Sequence, residues 1–436
     1  MPKEGKIMHA RLLGGRFSHV LRISIGLLCV TSLLLHWQWA AARIDDQERN
    51  VQKKDNDIYK DLNIPLLVFT SHRSAYLNKT LAKVLKVHPL QKGATDRMDP
   101  LVASPIIISQ DGTDENIRSV IEYFKNEFES LGVPLFHITH KKKDQRPLVG
   151  VPAYEALSRH YGWALKKTFS GDVYNKPVPK SFAANGTLAL PQPKMVIILE
   201  EDIDISVDFF SYMSATSKVL DDEASNLLAV SGYNDNGKKD LVGDEMRLLR
   251  TDFFPGLGWM MHRRFWDEKG EKWPVRFWDE WLRRPDQRQG RQFIRPEVSR
   301  TYHFGHEGGA SENALSQHVQ TVHLNTVDVD WSKEDFTHLY DLPFHDLYFS
   351  AISDARIVKM DPNGRDITVA LAELEKGSVR LEYTDLNHFV KLAKKLNLMD
   401  DERFGVPRTA YDGIVECRPK GPSGNLLYLI PADTKI

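Results

Sequence analysis

The chain has 436 residues, 42% of them apolar and 27% charged, with a formal net charge of −1. That length supports two or three domains and a large core, and the composition excludes a disordered or collagen-like chain. The near-neutral balance also excludes a global attraction to nucleic acid or to an anionic membrane surface.

The N-terminus departs from this average. Lys3, Lys6, Arg11, Arg16 and Arg22 precede residues 23–42, which carry no formal charge. About 20 apolar residues are enough to span a bilayer. Trp37 and Trp39 stand near the far end of that stretch, where interfacial aromatics gather, and basic residues on the near side predict a cytoplasmic N-terminus. Residues 1–22 read as a cytoplasmic tail, 23–42 as a transmembrane signal anchor of a type II protein, and 43–62 as a charged stem. A cleaved signal peptide, cut after Ala40-Ala41-Ala42, is the competing reading. The tripeptides Asn78-Lys79-Thr80 and Asn185-Gly186-Thr187 are glycosylation sequons that fit a luminal body. Cys29 falls in the anchor and Cys417 stands alone, so the body is expected to hold no internal disulfide. No Cys/His spacing suits zinc.

Residues 64–70 read as a first buried strand and 78–86 as a helix. Residues 105–109 form a second strand ending in Gln110-Asp111-Gly112. Residues 116–131 follow as a helix, with Ile117, Val120, Ile121, Phe124 and Phe128 at helical spacing. A third strand is predicted at 135–138 and a strong helix at 154–169. This alternation argues an α/β protein whose parallel strands are joined by helical crossovers. Residues 171–194 hold four prolines and read as a surface insertion. Met195-Val-Ile-Ile-Leu199 is the next buried strand and runs directly into Glu200-Glu201-Asp202. A helix at 207–220 and a strand at 227–231 follow, then a Gly/Pro/Trp-rich stretch over 253–281. After about residue 342 the pattern becomes short strands plus a helix at 386–396. Residues 63–341 are accordingly assigned to the main domain and 342–436 to a smaller C-terminal one.

Three clusters carry candidate chemistry. In an open α/β sheet the carboxyl ends of strands face the ligand crevice. There this chain places Ser71-His72-Arg73, Gln110-Asp111 and Glu200-Glu201-Asp202. Hard carboxylates suit Mg²⁺ or Mn²⁺, and an Arg beside them suits a diphosphate, so a nucleotide sugar is the expected ligand. A solvated acidic turn is the plainer alternative. The second cluster, Phe277-Trp278-Asp279-Glu280-Trp281, sets adjacent acids between aromatics. An acid there could serve as a general base. Equally, the tryptophans could be core and the acids could open a helix. The third, Phe304 to Ser311, is a small-residue loop that could close over phosphates through its backbone N–H groups.

At these residues the chain resembles the N-acetylglucosaminyltransferase I family. Its motifs are Leu199-Glu-Glu-Asp-Ile-Asp-Ile-Ser-Val-Asp-Phe-Phe210, Tyr233-Asn-Asp-Asn-Gly237, Arg250-Thr-Asp-Phe-Phe-Pro-Gly-Leu-Gly-Trp259 and Phe277-Trp-Asp-Glu-Trp-Leu-Arg-Arg-Pro-Asp-Gln-Arg-Gln-Gly-Arg291. Ile294 to Arg300, Met399-Asp-Asp401, Gly405-Val-Pro-Arg408 and Gly413-Ile-Val415 extend the likeness over about residues 62–420. The resemblance implies a GT-A fold, a Rossmann-like mixed sheet flanked by helices with a smaller α+β domain. It implies inverting transfer of GlcNAc from UDP-GlcNAc, in β1,2 linkage, to the α1,3-mannose of the five-mannose N-glycan. It also implies Mn²⁺ as cofactor and a luminal body at the Golgi membrane. By the same resemblance Asp202 is the metal ligand and Asp279 the catalytic base. Arg73, Asp111, His160, Glu200, Glu201 and Trp278 bind the donor, and Arg291 steadies a closing loop formed by Gly308, Gly309 and Ala310.

Some positions depart from the family pattern. The acidic triplet is Glu-Glu-Asp where the family has Glu-Asp-Asp, and Ala310 replaces a loop serine, with Ser311 next to it. Ser71, Gly112, Ala229 and Phe293 stand where members with luminal disulfides have cysteines, so packing alone is expected to hold these sheet ends. The related protein O-mannose β1,2-N-acetylglucosaminyltransferases share the Glu-Glu-Asp triplet, and Ser299-Arg-Thr-Tyr-His-Phe-Gly305 leans toward them. Two other classes, a non-catalytic glycan-binding module and a metal phosphohydrolase, fit less well. The first would lose Asp202 or Asp279, and the second needs several ligands around its ions.

Overall fold

Side chains along the apolar runs alternate between two cores. Leu66 and Val68 pack on one side of a sheet, Leu67 and Phe69 on the other; Ile197 and Leu199 are likewise opposed by Val196 and Ile198. A period of two with both faces apolar is what a strand covered on both sides requires. The computed structural model describes residues 64–93, 101, 104–141, 150–176, 190–306, 316–359, 366–419 and 424–435. The predicted tail, anchor and stem, the Asn185 sequon, and Gly308, Gly309 and Ala310 lie outside these residues. No helix among the described residues is long and apolar enough to cross a membrane.

The strands in chain order are β1 (Leu66–Thr70), β2 (Ile106–Asp111), β3 (Leu135–His140), β4 (Met195–Glu200), β5 (Ile203–Ile205), β6 (Leu227–Ser231), β7 (Leu248–Thr251), β8 (Trp259–His262), β9 (Gln292–Pro296) and β10 (Thr301–His303). Eight of them form one mixed sheet in the order β3-β2-β1-β4-β8-β6-β9-β7. Strands β1 to β4 pair in parallel. Strand β8 is antiparallel to both of its neighbours, β4 and β6. Strand β9 is parallel to β6, and β7 closes the edge antiparallel to β9. The remaining two, β5 and β10, form a separate antiparallel ribbon in which His303 sits opposite Ile203.

The helices follow from local signals. Asp114 caps Glu115–Leu131 by accepting from the amides of Asn116 and Ile117, and Gly132, at φ 89°, ends it in the left-handed conformation. Ile117, Ile121, Phe124 and Phe128 bury its inner stripe. That helix shares one core with Ser74–Val87 and Phe209–Asp221. The other core receives Tyr161, Ala164, Leu165 and Phe169 from Val151–Phe169, together with Phe265 and Trp278. Ala229 and Phe293 are cross-strand partners in β6 and β9 and are both buried.

Two stretches differ from the sequence reading. Residues 253–281 contain β8, the helix Arg263–Lys269 and the start of the helix Trp278–Arg283. A four-residue strand, Trp-Met-Met-His, is too short for its period to show. The region after residue 341 opens not on strands but on a helix, Asp341–Asp354. Its buried Phe344, Tyr348 and Ile352 are spaced by four, while Leu342 and Leu347 are exposed and blur the stripe.

Beyond it lie β11 (Arg356–Val358), β12 (Val379–Tyr383), β13 (Glu402–Arg403), β14 (Val406–Pro407), β15 (Val415–Cys417) and β16 (Leu427–Pro431). A four-stranded sheet runs β11-β12-β16-β15, with its own apolar core against Leu386–Lys395. Cys417 is free and buried there, and burial raises its thiol pKa. Residues Asp61–Ile436 form one compact unit. Polar links tie its parts: the Asp252 amide donates to the Ala410 carbonyl at 2.7 Å, and the Met399 amide to Asn236 Oδ1 at 2.8 Å.

Candidate active site

The carboxyl ends of β1, β2 and β4 open into a cleft of about 750 Å³. Arg73, Asp111, His160, Glu200, Glu201, Asp202, Trp278 and Asp279 all line it. Eight of the candidate residues named from sequence are therefore brought together, although they span more than 200 positions of the chain.

The three consecutive acids have three different environments. Glu201 turns back to the end of β1: its Oε2 accepts from Thr70 Oγ1 at 2.5 Å and from the Ser71 amide at 3.1 Å, and its Oε1 from Arg73 Nε at 2.6 Å. Glu200 Oε1 accepts from the Tyr161 hydroxyl at 2.7 Å. Burial, together with the adjacent Asp202 charge, pushes the Glu200 pKa up to about 7, against the Tyr161 hydrogen bond and the charges of His303 and Arg73.

Asp202 is 2% exposed. Its Oδ2 lies 2.7 Å from Arg73 Nη1 and 3.2 Å from His303 Nε2. Burial opposes ionisation here, but the His303 and Arg73 partners outweigh it and hold the Asp202 pKa at about 2. His303 responds in kind: burial disfavours its charged form, yet the Asp202 hydrogen bond and charge raise its pKa. Among the described residues nothing donates a hydrogen bond to Asp202 Oδ1, which is buried. A buried carboxylate oxygen without a partner is costly in isolation and suits a hard divalent cation. That oxygen thus fits a hard divalent cation held through a single protein ligand. No group of three or more His, Cys, Asp or Glu side chains suited to a metal gathers among the described residues.

On the second strand, Asp111 Oδ1 lies 2.8 Å from His140 Nδ1. His160 Nε2 lies 2.7 Å from Ser109 Oγ, and the His140 and His160 rings stack with centroids 5.5 Å apart. Trp163 packs beside both rings, and of the three His160 lines the cleft.

The short helix Trp278–Arg283, entered through Phe277 at φ 51°, supplies another part of the lining. Trp278 is both core and lining. It stacks on Tyr161 at 4.4 Å and on Trp259 at 5.6 Å, while one edge borders the cleft. Asp279 and Glu280 occupy the first turn, but neither is its cap. Asp279 Oδ2 accepts from Arg283 Nη1 at 2.9 Å, and its carboxylate is about one-third exposed. Arg291 is elsewhere: it pairs through two nitrogens with Glu268 and is not among the residues lining the cleft.

Sequence reasoning missed several lining residues. His303 reaches Asp202 only because β10 pairs with β5, a contact no local spacing reveals. Tyr161 follows His160 directly, yet nothing in that helix announces its bond to Glu200. Asp235, Asp401, Arg403 and Arg408 also line the cleft. Three of them fall within motifs that carried the family resemblance, but no role was attached to them.

Comparison with known proteins identifies the family of the chain. The family model described as "GNT-I family" matches residues 38–436. The alpha-1,3-mannosyl-glycoprotein 2-beta-N-acetylglucosaminyltransferase of Arabidopsis thaliana is 34% identical over 359 residues, covering 81% of this chain and 71% of that protein. Among solved structures, the mannosyltransferase PcManGT of Pyrobaculum calidifontis, in complex with GDP-Man and Mn²⁺, aligns with 48% of this chain and 46% of its own. Its TM-score is 0.27 at 12% identity, a likeness too slight to bear on the fold. The match of the family model over nearly the whole chain, with the Arabidopsis relative beside it, means that this protein belongs to the GNT-I family.

Proposed function

We propose that the protein transfers GlcNAc from UDP-GlcNAc, in β1,2 linkage and with inversion, to the α1,3-mannose of the five-mannose N-glycan. The observation that carries this reading is the presence in one cleft of two acids that the described residues leave partly free: Asp202, with a buried oxygen they do not partner, and Asp279, which they hold at one oxygen. Family membership and the name of the Arabidopsis relative supply the substrates. The mixed sheet with acids at the end of β4 supports a GT-A assignment.

UDP-GlcNAc is an α-glycoside and the product is β, so one in-line displacement suffices. The acceptor oxygen bonds to C1 as the C1–O bond to the diphosphate breaks, and UDP leaves with the electron pair. Asp279 takes the proton of the acceptor hydroxyl. Asp202 would hold Mn²⁺ through Oδ1, and the ion would supply charge neutralisation to the departing diphosphate. Arg73, held by Glu201 and Asp202, adds a positive group on the same side. Asp111 and His160 would receive the uracil end, with His140 supporting both and Glu200 and Trp278 near the sugar. No covalent nucleophile is required. In the same reading, residues 23–42 anchor the chain in the Golgi membrane with residues 63–341 and 342–436 in the lumen.

The test offers the full-length chain, with UDP-GlcNAc and Mn²⁺, the five-mannose N-glycan and separately an O-mannosyl peptide. Transfer to the N-glycan alone supports the proposal. Transfer to the O-mannosyl peptide alone replaces the acceptor, and transfer to neither overturns the reading.

A further inference from the structure

Asp279 belongs to a chain of alternating charges along one wall of the cleft. Arg283 Nη1 donates to Asp279 Oδ2 at 2.9 Å and to Glu280 Oε1 at 3.0 Å. The same Glu280 oxygen accepts from Arg403 Nε at 3.0 Å. Arg403 Nη1 lies 3.1 Å from Asp401 Oδ2. Asp401 accepts from Nε and Nη2 of Arg408, whose Nη1 donates to Asp235 Oδ1 at 2.5 Å. All seven residues line the cleft. The chain joins the helix Trp278–Arg283 to residues 401–408, more than 100 positions later.

The links of this chain differ in freedom. Arg283 is fixed: it is 7% exposed, its Nε donates to the Phe254 carbonyl at 3.1 Å, and its guanidinium lies over the Phe253 ring at 4.8 Å. Arg408 lies over the same ring at 4.9 Å. Arg403 and Glu280 are the exposed links, with side chains 38% and 31% accessible. Arg283 Nη1 gives one N–H to each of two carboxylates, and Arg403 sets how strongly the Glu280 charge pulls on that shared nitrogen. With Arg403 in place, the charge of Glu280 is answered from the C-terminal side. Without it, Glu280 answers to Arg283 alone and weakens the bond that the shared Nη1 makes to Asp279.

We propose that Arg403 is a positioning residue for Asp279. By holding Glu280 it leaves Arg283 to fix Asp279 Oδ2, so that Oδ1 stays free for the acceptor hydroxyl. This inference rests on the assignment of Asp279 as the base.

The experiment is steady-state transfer by the full-length chain, with UDP-GlcNAc, Mn²⁺ and the five-mannose N-glycan. Arg403→Gln should lower kcat about tenfold while the KM for UDP-GlcNAc stays within about twofold, the pattern of an interaction felt in the transition state. Arg403→Lys, which keeps a donor to Glu280, should retain most of the activity. Adding Glu280→Gln to Arg403→Gln should restore kcat, because a neutral amide oxygen competes for Arg283 far more weakly than a carboxylate. A merely structural role for Arg403 would make the two losses additive. The proposal is overturned by wild-type kcat in Arg403→Gln, by a loss confined to KM, or by a double variant no better than the single one. Asp279→Asn separates the two readings. Normal turnover by that variant removes the base assignment itself, whereas an inactive Asp279→Asn beside an unimpaired Arg403→Gln removes only the role of Arg403.

Discussion

Arg73 Nη1 lies 2.7 Å from Asp202 Oδ2, and the same guanidinium holds Glu201 through Nε at 2.6 Å. One cation thus orients two consecutive buried carboxylates. Arg73→Ala would leave both short of a partner, at a cost of about 3–5 kcal/mol, the range found when one member of a buried ion pair is removed. Arg73→Lys should recover part of this but not the two-pronged geometry, since an ammonium has no planar fork. Thermal unfolding checks the stability order of wild type over Lys over Ala. Equal melting temperatures for all three would mean that the pairing is unimportant.

Asp202 contributes the one oxygen of this trio that the described residues leave unsatisfied. Asp202→Ala should abolish Mn²⁺-dependent affinity for UDP-GlcNAc in calorimetry. EDTA should do the same to the wild type, with recovery on adding Mn²⁺. An unchanged donor affinity in the variant would remove Asp202 from the metal site.

Asp279→Asn keeps the shape of the side chain and can no longer accept a proton. Transfer should fall about 10²–10⁴-fold, the usual contribution of a positioned base. Donor affinity should stay near wild type, because the residues proposed to hold the diphosphate, Arg73 and Asp202, lie at the strand ends and not on the helix that carries Asp279. A variant that loses UDP-GlcNAc binding instead would assign Asp279 to the donor.

The parts of this site that sequence revealed are those carried by short-range pattern. Apolar runs ending in Arg73, Asp111 and Glu200-Glu201-Asp202 mark strand ends, and strand ends in an open sheet share one crevice. That Trp278 serves as both core and cleft lining was not decidable, since burial on one edge and exposure on the other depend on Tyr161 and Trp259, far away in sequence. His303 and the 401–408 segment were hidden for the same reason. They reach the cleft through pairing of β5 with β10 and through hydrogen bonds such as Met399 to Asn236, neither of which leaves a periodic trace. The helix Asp341–Asp354 was lost because exposed Leu342 and Leu347 imitate buried positions.

Gly305 follows from the placement of Asp202. The Phe304 amide donates to the Asp202 carbonyl at 3.0 Å, bringing the next residue against the carboxylate. A Cβ on Gly305 would lie 2.4 Å from Asp202 Oδ2 and 3.0 Å from its Cγ. Gly305→Ala must therefore displace the side chain proposed to hold the metal. Mn²⁺-dependent UDP-GlcNAc binding should weaken about 10–100-fold, as when the support of a metal ligand is lost. The fold should remain, which circular dichroism can verify; undiminished binding would show that Asp202 has room to move.

His88 provides a pH dependence remote from the cleft. It is 1% exposed, packs against Phe128 and Phe210, and accepts from the Leu90 amide at Nδ1. Burial lowers its pKa from 6.5 to about 4. The unfolded chain therefore takes up the proton first as pH falls. Stability from this group is complete above pH 6.5 and is lost on the way down to about pH 4, by something on the order of 3 kcal/mol. His137 is lowered to about 4 as well, by burial and by Lys176, Arg118 and Lys125, and steepens the same slope. His88→Phe removes one titrating group while keeping an aromatic ring in the slot. Its melting temperature should be lower at pH 7.5, where the Leu90 amide loses its acceptor, and should fall less than that of the wild type between pH 6.5 and pH 4. Parallel melting curves for the two proteins across that interval would mean that His88 titrates alike in the folded and unfolded chains.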